Sequence, residues 1–69
     1  MISEKIGTTI KERRKALSIT QRELADLSGI GINTLTKIER GEANPSLKVL
    51  ISLLDTLGLE MELKIKNKI

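Results

Sequence analysis

The chain predicts a mainly α fold, four short helices followed by one C-terminal strand, and three observations carry that prediction. Apolar residues recur at three- and four-residue spacing from Ile6 to Leu57, the period of helices with one buried face. Glycines at positions 29, 41 and 58 fall where that periodicity breaks, as helix ends require. From Leu59 the period drops to two, which belongs to a half-buried strand.

Ser3 can cap the first helix, and Ile6, Ile10 and Leu17 mark its buried stripe with help from Ile2 and Ala16. Arg13, Arg14 and Lys15 stand near its C-terminal end, where cations complement the helix dipole. Thr20 is a good N-cap for the second helix, and Glu23 three residues later completes a capping box. Leu24, Ala25 and Ser28 make that helix amphipathic, and Gly29 ends it. A further periodic run places Ile30, Leu35 and Ile38 on one face and stops at Gly41. Ala25 is small where two helices must approach closely, and Gly29 permits the turn between them. Two helices joined this tightly at a steep angle form a helix-turn-helix, whose second helix can enter a DNA major groove.

Glu42-Ala43-Asn44-Pro45 reads as a loop, and Pro45 can open a fourth helix that runs to Leu57 and stops at Gly58. Leu47, Leu50, Ile51, Leu54 and Leu57 form its expected core stripe. Val49 and Leu53 are left on a different face, to be buried by a partner or covered by the first helix.

Beyond Gly58, Leu59, Met61, Leu63 and Ile65 alternate with Glu60, Glu62, Lys64 and Lys66. A lone strand is not stable, and the chain offers no second one, so this segment either pairs with another molecule or stays a frayed polar end. Two copies paired antiparallel with Leu63 opposite its mate set Glu62 against Lys64, Glu60 against Lys66, and Met61 against Ile65. A two-fold contact needs such self-complementarity. The expectation is a homodimer joined by a two-stranded ribbon, with residues 1–58 as the DNA-binding domain and 59–69 as dimerisation strand and tail.

Composition narrows the function. A chain of 69 residues is one small domain with a marginal core, and oligomerisation is its remaining source of stability. It has no Cys and no His, so a disulfide is excluded and a zinc site would need carboxylates alone. The usual general bases and nucleophiles, His, Cys and Tyr, are missing, which argues against an enzyme. Neither a cofactor nor a small-molecule ligand is expected. A net charge of +3 suits nucleic acid without demanding it. No apolar run approaches a membrane span and nothing resembles a signal peptide, so the expected location is cytoplasmic, away from membranes.

The stretch TQRELADLSGIGINTLTKIERG, with Asn44-Pro45-Ser46-Leu47 after it, resembles the XRE/Cro family of bacterial and phage DNA-binding regulators. The resemblance runs from about Ile6 to Leu57 and implies a lambda-repressor-like domain. It implies an ion pair between Arg14 and Glu39 that ties the first helix to the recognition helix. Gln21, Arg40, Asn44 and Ser46 become candidates for phosphate contact, with turn chemistry the alternative for Asn44 and plain surface polarity for Gln21. Ile32, Asn33, Thr36 and Lys37 become candidates for reading bases, while Thr34 faces back toward the turn. Asn can bridge adenine N6 and N7, Lys can donate to guanine O6 and N7, and Thr36 could touch a thymine methyl or donate.

Two residues depart from the family pattern. Gly31 replaces the expected Ser or Thr cap, and Ile32 stands where a polar residue is usual, facing either a thymine methyl or a protein partner. A C-terminal strand in place of the commoner fifth helix is similar to the HipB-like antitoxins, on Leu57-Gly58-Leu59-Glu60-Met61-Glu62-Leu63. The implied function is a dimeric repressor of its own operon that binds a palindromic double-stranded operator, as the antitoxin of a HipA-like toxin kinase. A stand-alone repressor of phage or restriction-modification type is the alternative, followed by a helix-turn-helix module that binds protein instead of DNA.

Overall fold

Helix α1 spans Ile2–Ala16, α2 Gln21–Ser28, α3 Ile32–Glu39 and α4 Leu47–Leu57 in a computed structural model that describes residues 2–66. Ile10, Leu24, Ala25, Leu35, Ile38, Leu50, Leu53 and Leu57 form one buried cluster, to which every helix contributes. Against it α1 packs on α3 and α4, and α2 packs on α3 and α4.

The turn between α2 and α3 forms as its local chemistry dictates. The backbone N–H of Glu23 donates to Thr20 Oγ1 at 3.0 Å, and the Thr20 N–H donates to Glu23 Oε1 at 2.8 Å. Gly29 adopts φ 73°, the left-handed conformation that lets the chain reverse at once. The Ile30 N–H then donates to the Ala25 carbonyl at 3.0 Å, closing the turn. Gly31 is the N-cap of α3 and supplies no side-chain bond, as its missing side chain requires.

Helix α1 buries Ile10 and packs Ile6 against the core, as expected, but departs from the rest of its expected stripe. Ser3 lies inside the helix instead of capping it, and Met1 lies outside the described residues. Gly7, Ile10 and Arg14 are the buried residues, while Ile2, Ala16 and Leu17 are exposed. The helix ends at Ala16, so Leu17 no longer follows its stripe. Gly7 sits where α1 crosses the end of α3: a Cβ there would collide with the Ile38 carbonyl oxygen and lie 3.0 Å from that of Glu39.

Helix α4 is capped by Ser46, whose Oγ accepts from the Val49 N–H at 3.2 Å, so Pro45 precedes the helix and does not open it. Leu50 and Leu57 are buried and Leu54 packs against the core, as expected, but the rest of the expected stripe is not. Leu53, expected to be buried either by a partner or within the chain, is completely buried in the protein's own core and so is unavailable for dimerisation. Leu47 and Ile51, expected in the core, are 61% and 44% exposed. Val49 and Leu54 are half-buried against the core. Ser52 Oγ donates to the Ser28 carbonyl at 2.7 Å, linking α4 to the end of α2. Arg13 Nε donates to the Leu57 carbonyl at 2.9 Å, satisfying an end of α4 from α1.

After Gly58 the Leu59 N–H donates to the Leu54 carbonyl at 2.8 Å, and Leu59 is half-buried. Residues 60–66 are exposed, Leu63 and Ile65 each at 91%. No strand forms among the described residues, because a strand needs a neighbour and this is one chain. Residues 67–69 of the expected tail lie outside the described residues. Met61 and Leu63 instead border a groove of about 520 Å³ with Ile2, Ile6, Leu47 and Leu54. Leu47, which α4 turns outward, lines one side of it. Among the described residues no helix is long and apolar enough to cross a membrane.

Candidate DNA-binding interface

The interface is built on a polar relay that runs through three helices. Arg14, near the end of α1, donates from Nε to Glu39 Oε2 at 2.7 Å and from Nη2 to Oε1 at 3.1 Å. Its Nη1 donates to the Ile19 carbonyl at 2.9 Å, in the turn before α2. Both residues of the pair are buried, which leaves each dependent on the other. Gln21, the first residue of α2, donates from Nε2 to Glu39 Oε1 at 2.9 Å and accepts from Thr36 Oγ1 at 3.2 Å. The expected Arg14–Glu39 tie is therefore present, and it extends to both helices of the helix-turn-helix. No buried side-chain polar atom among the described residues lacks a partner.

This relay changes what Gln21 and Thr36 offer to a ligand. The Gln21 side chain is turned inward, so a phosphate at this end of α2 would meet its backbone N–H, one of the donors that a helix start leaves unpaired. Thr36 is half-buried with its hydroxyl committed to Gln21. Ile32 is half-buried at the core's edge, which withdraws much of it from the recognition surface.

Asn33 and Lys37 are exposed one turn apart on α3, a spacing that sets both side chains on one face. Thr34 is exposed as well, its Oγ1 beside Gly31 at the turn. Arg40 is exposed just past the end of α3. Asn44 and Ser46 are exposed in the approach to α4. Ser46 Oγ accepts the capping bond but keeps its own proton to donate.

Sequence reasoning missed the Gln21–Thr36 bond and the role of Gly7. The first joins residues 15 apart, and the second depends on a carbonyl in another helix. A glycine inside a helical stripe was the one available signal for Gly7.

A family profile described as "Helix-turn-helix" matches residues 10–64. An HTH-type transcriptional regulator of Methanothermobacter thermautotrophicus is 40% identical over 53 residues, covering 77% of each chain. The phage CTXphi transcriptional repressor RstR of Vibrio cholerae is 33% identical over 58 residues, 84% of this chain and 52% of that protein. A Haemophilus influenzae HTH-type transcriptional regulator is 39% identical over 57 residues; they make up 78% of this chain and 58% of the relative, so the chain spans little more than half its length.

Among solved structures, the restriction-modification controller protein C.AhdI of Aeromonas hydrophila superposes with TM-score 0.80 at 34% identity, covering 84% of this chain and 88% of its own. The clp gene regulator ClgR of Corynebacterium glutamicum gives TM-score 0.81 at 30% identity, over 86% of this chain and 63% of its own. The profile match and the shared geometry agree, and the chain belongs to the XRE-type helix-turn-helix family.

Proposed function

We propose that this protein is a homodimeric, sequence-specific DNA-binding repressor that acts on its own operon. The observation that carries the reading is the exposed Asn33–Lys37 face of α3, on a helix held by the Arg14–Glu39–Gln21 relay. A rigid mount suits base reading, since base contacts act only when phosphate contacts hold the helix in register. The α2 N-terminus, Arg40, Asn44 and Ser46 would supply those anchors. Two such units about a two-fold axis would read a palindrome with half-sites about one DNA turn apart.

The dimer is proposed to form through Leu59–Lys66 as an antiparallel ribbon, with Val49 on α4 flanking it. The strict apolar row Leu59, Met61, Leu63 and Ile65 supports this, because most of it is exposed in the single chain. The ribbon's apolar face would cover the groove at Ile6, Leu47 and Leu54, giving a two-stranded element the helical backing it needs.

RstR and C.AhdI, by their names a phage repressor and a restriction-modification controller, support the stand-alone form of this function. The antitoxin form, with a HipA-like toxin kinase as partner, rests on the resemblance of the tail alone. A reporter fused to the protein's own promoter tests the reading. Expression of the protein should silence the reporter, and a silent-to-active switch with Asn33→Ala and Lys37→Ala combined would place the effect on α3. Equal reporter output with and without the wild-type protein contradicts it.

A further inference from the structure

We propose that Gln21 fixes Thr36 as a hydrogen-bond acceptor toward DNA, so that Thr36 selects a base presenting a donor in the major groove: adenine through N6 or cytosine through N4. The proposal rests on the DNA-binding reading above and names a specificity within it.

The polarity follows from one end of the relay to the other. Arg14 has only donors, so Glu39 accepts from it at both oxygens. The Gln21 group 2.9 Å from Glu39 Oε1 must then be the amide NH₂, because an amide oxygen there would face a carboxylate oxygen. With the amide oriented in this way, its carbonyl oxygen faces Thr36 Oγ1 at 3.2 Å. A carbonyl cannot donate, so the Thr36 hydroxyl gives its one proton to Gln21. What remains on Thr36 for a ligand is the lone pairs of Oγ1 and the methyl group.

Adenine and cytosine present an amino donor on the major-groove edge, whereas guanine and thymine present acceptors at O6, N7 and O4. An acceptor opposite Oγ1 would meet oxygen with oxygen. Thr36 and Gln21 together therefore read one base, although Gln21 itself touches none. Gln21 is a positioning residue, and Thr36 is the reader. Of the two contacts expected of Thr36, a touch on a thymine methyl or a donated hydrogen bond, the second falls away, since its proton is already used.

The test is selection of binding sites from a double-stranded DNA library with randomised half-sites, using the full chain and its variants. Wild type should enrich adenine or cytosine at one position of each half-site. Thr36→Val keeps the shape and the Gln21–Glu39 bond but removes the oxygen; it should reduce that preference about threefold to tenfold and leave other positions unchanged. Gln21→Ala frees the hydroxyl to rotate, and the same position should then admit guanine and thymine. The proposal is overturned if Thr36→Val relaxes no single position, or if Gln21→Ala preserves the wild-type choice at the position that Thr36→Val relaxes. A wild type that enriches no sequence removes the sequence-specific reading itself and this assignment with it, a result distinct from an enriched site that the variants leave untouched.

Discussion

Arg14 holds Glu39 through two hydrogen bonds, at 2.7 and 3.1 Å, and both side chains are buried at the junction of α1 and α3. In so small a chain this junction decides how the recognition helix is presented. Removing one partner leaves the other charge buried without compensation, at a cost of about 3–5 kcal/mol. Arg14→Met should therefore destabilise the fold by about that much in urea unfolding, and Glu39→Leu similarly. The double variant Arg14→Met/Glu39→Leu should recover most of the loss, because no unpaired charge remains. Single variants within about 0.5 kcal/mol of wild type would show that the pair carries no structural load.

Gly7→Ala tests the close crossing of α1 over α3. Helix propensity alone favours alanine by about 1 kcal/mol. The new methyl, however, would enter the space of the Ile38 carbonyl oxygen. Backbone cannot yield there as a flexible side chain would, so a net loss of about 1–3 kcal/mol is expected by thermal or denaturant unfolding. Any net stabilisation would mean the two helices separate freely.

The helix-turn-helix was legible because its signals are local. The Thr20–Glu23 box and the Gly29 turn are each decided within a few residues, and the structure reproduces both. The Arg14–Glu39 pair was legible only through family resemblance, since 25 residues separate its members. The inner face of α4 was legible only in part, Leu50, Leu54 and Leu57 but not Leu47 and Ile51, and for a physical reason. Seven of its 11 residues, Leu47, Val49, Leu50, Ile51, Leu53, Leu54 and Leu57, are aliphatic, so periodicity assigns no unique inner face. Tertiary contacts choose it: the core takes Leu50, Leu53 and Leu57 and leaves Leu47 outward, with Ser52 bonded to the Ser28 carbonyl on the side facing α2. The strand expected at 59–66 has a clear sequence period, but nothing among the described residues pairs with it and no strand forms there.

Charge reversal across the proposed ribbon tests its register. Glu62→Lys or Lys64→Glu alone should weaken dimerisation at low salt, by about 0.2–1 kcal/mol for each cross-strand pair affected. Making both changes should restore the dimer, as measured by sedimentation equilibrium. A double variant no better than either single one contradicts the pairing of Leu63 with its mate.

Asn33→Ala and Lys37→Ala should each weaken binding to a cognate site by about 1–3 kcal/mol and relax one base position. Arg40→Ala should instead weaken all sequences alike and reduce the salt dependence, as loss of a phosphate contact does. Uniform loss from Asn33→Ala or Lys37→Ala would move that residue from base reading to anchoring.

The proposed function requires that the protein recognise its own upstream DNA by sequence. Titration of that DNA and of a shuffled copy with the purified protein, at two salt concentrations, measures this recognition. Tight binding of two chains per site, retained at moderate salt only on the native sequence, is the predicted result. Equal affinity for both DNAs, falling together as salt rises, would leave only the electrostatic attraction of a basic surface and contradict the account.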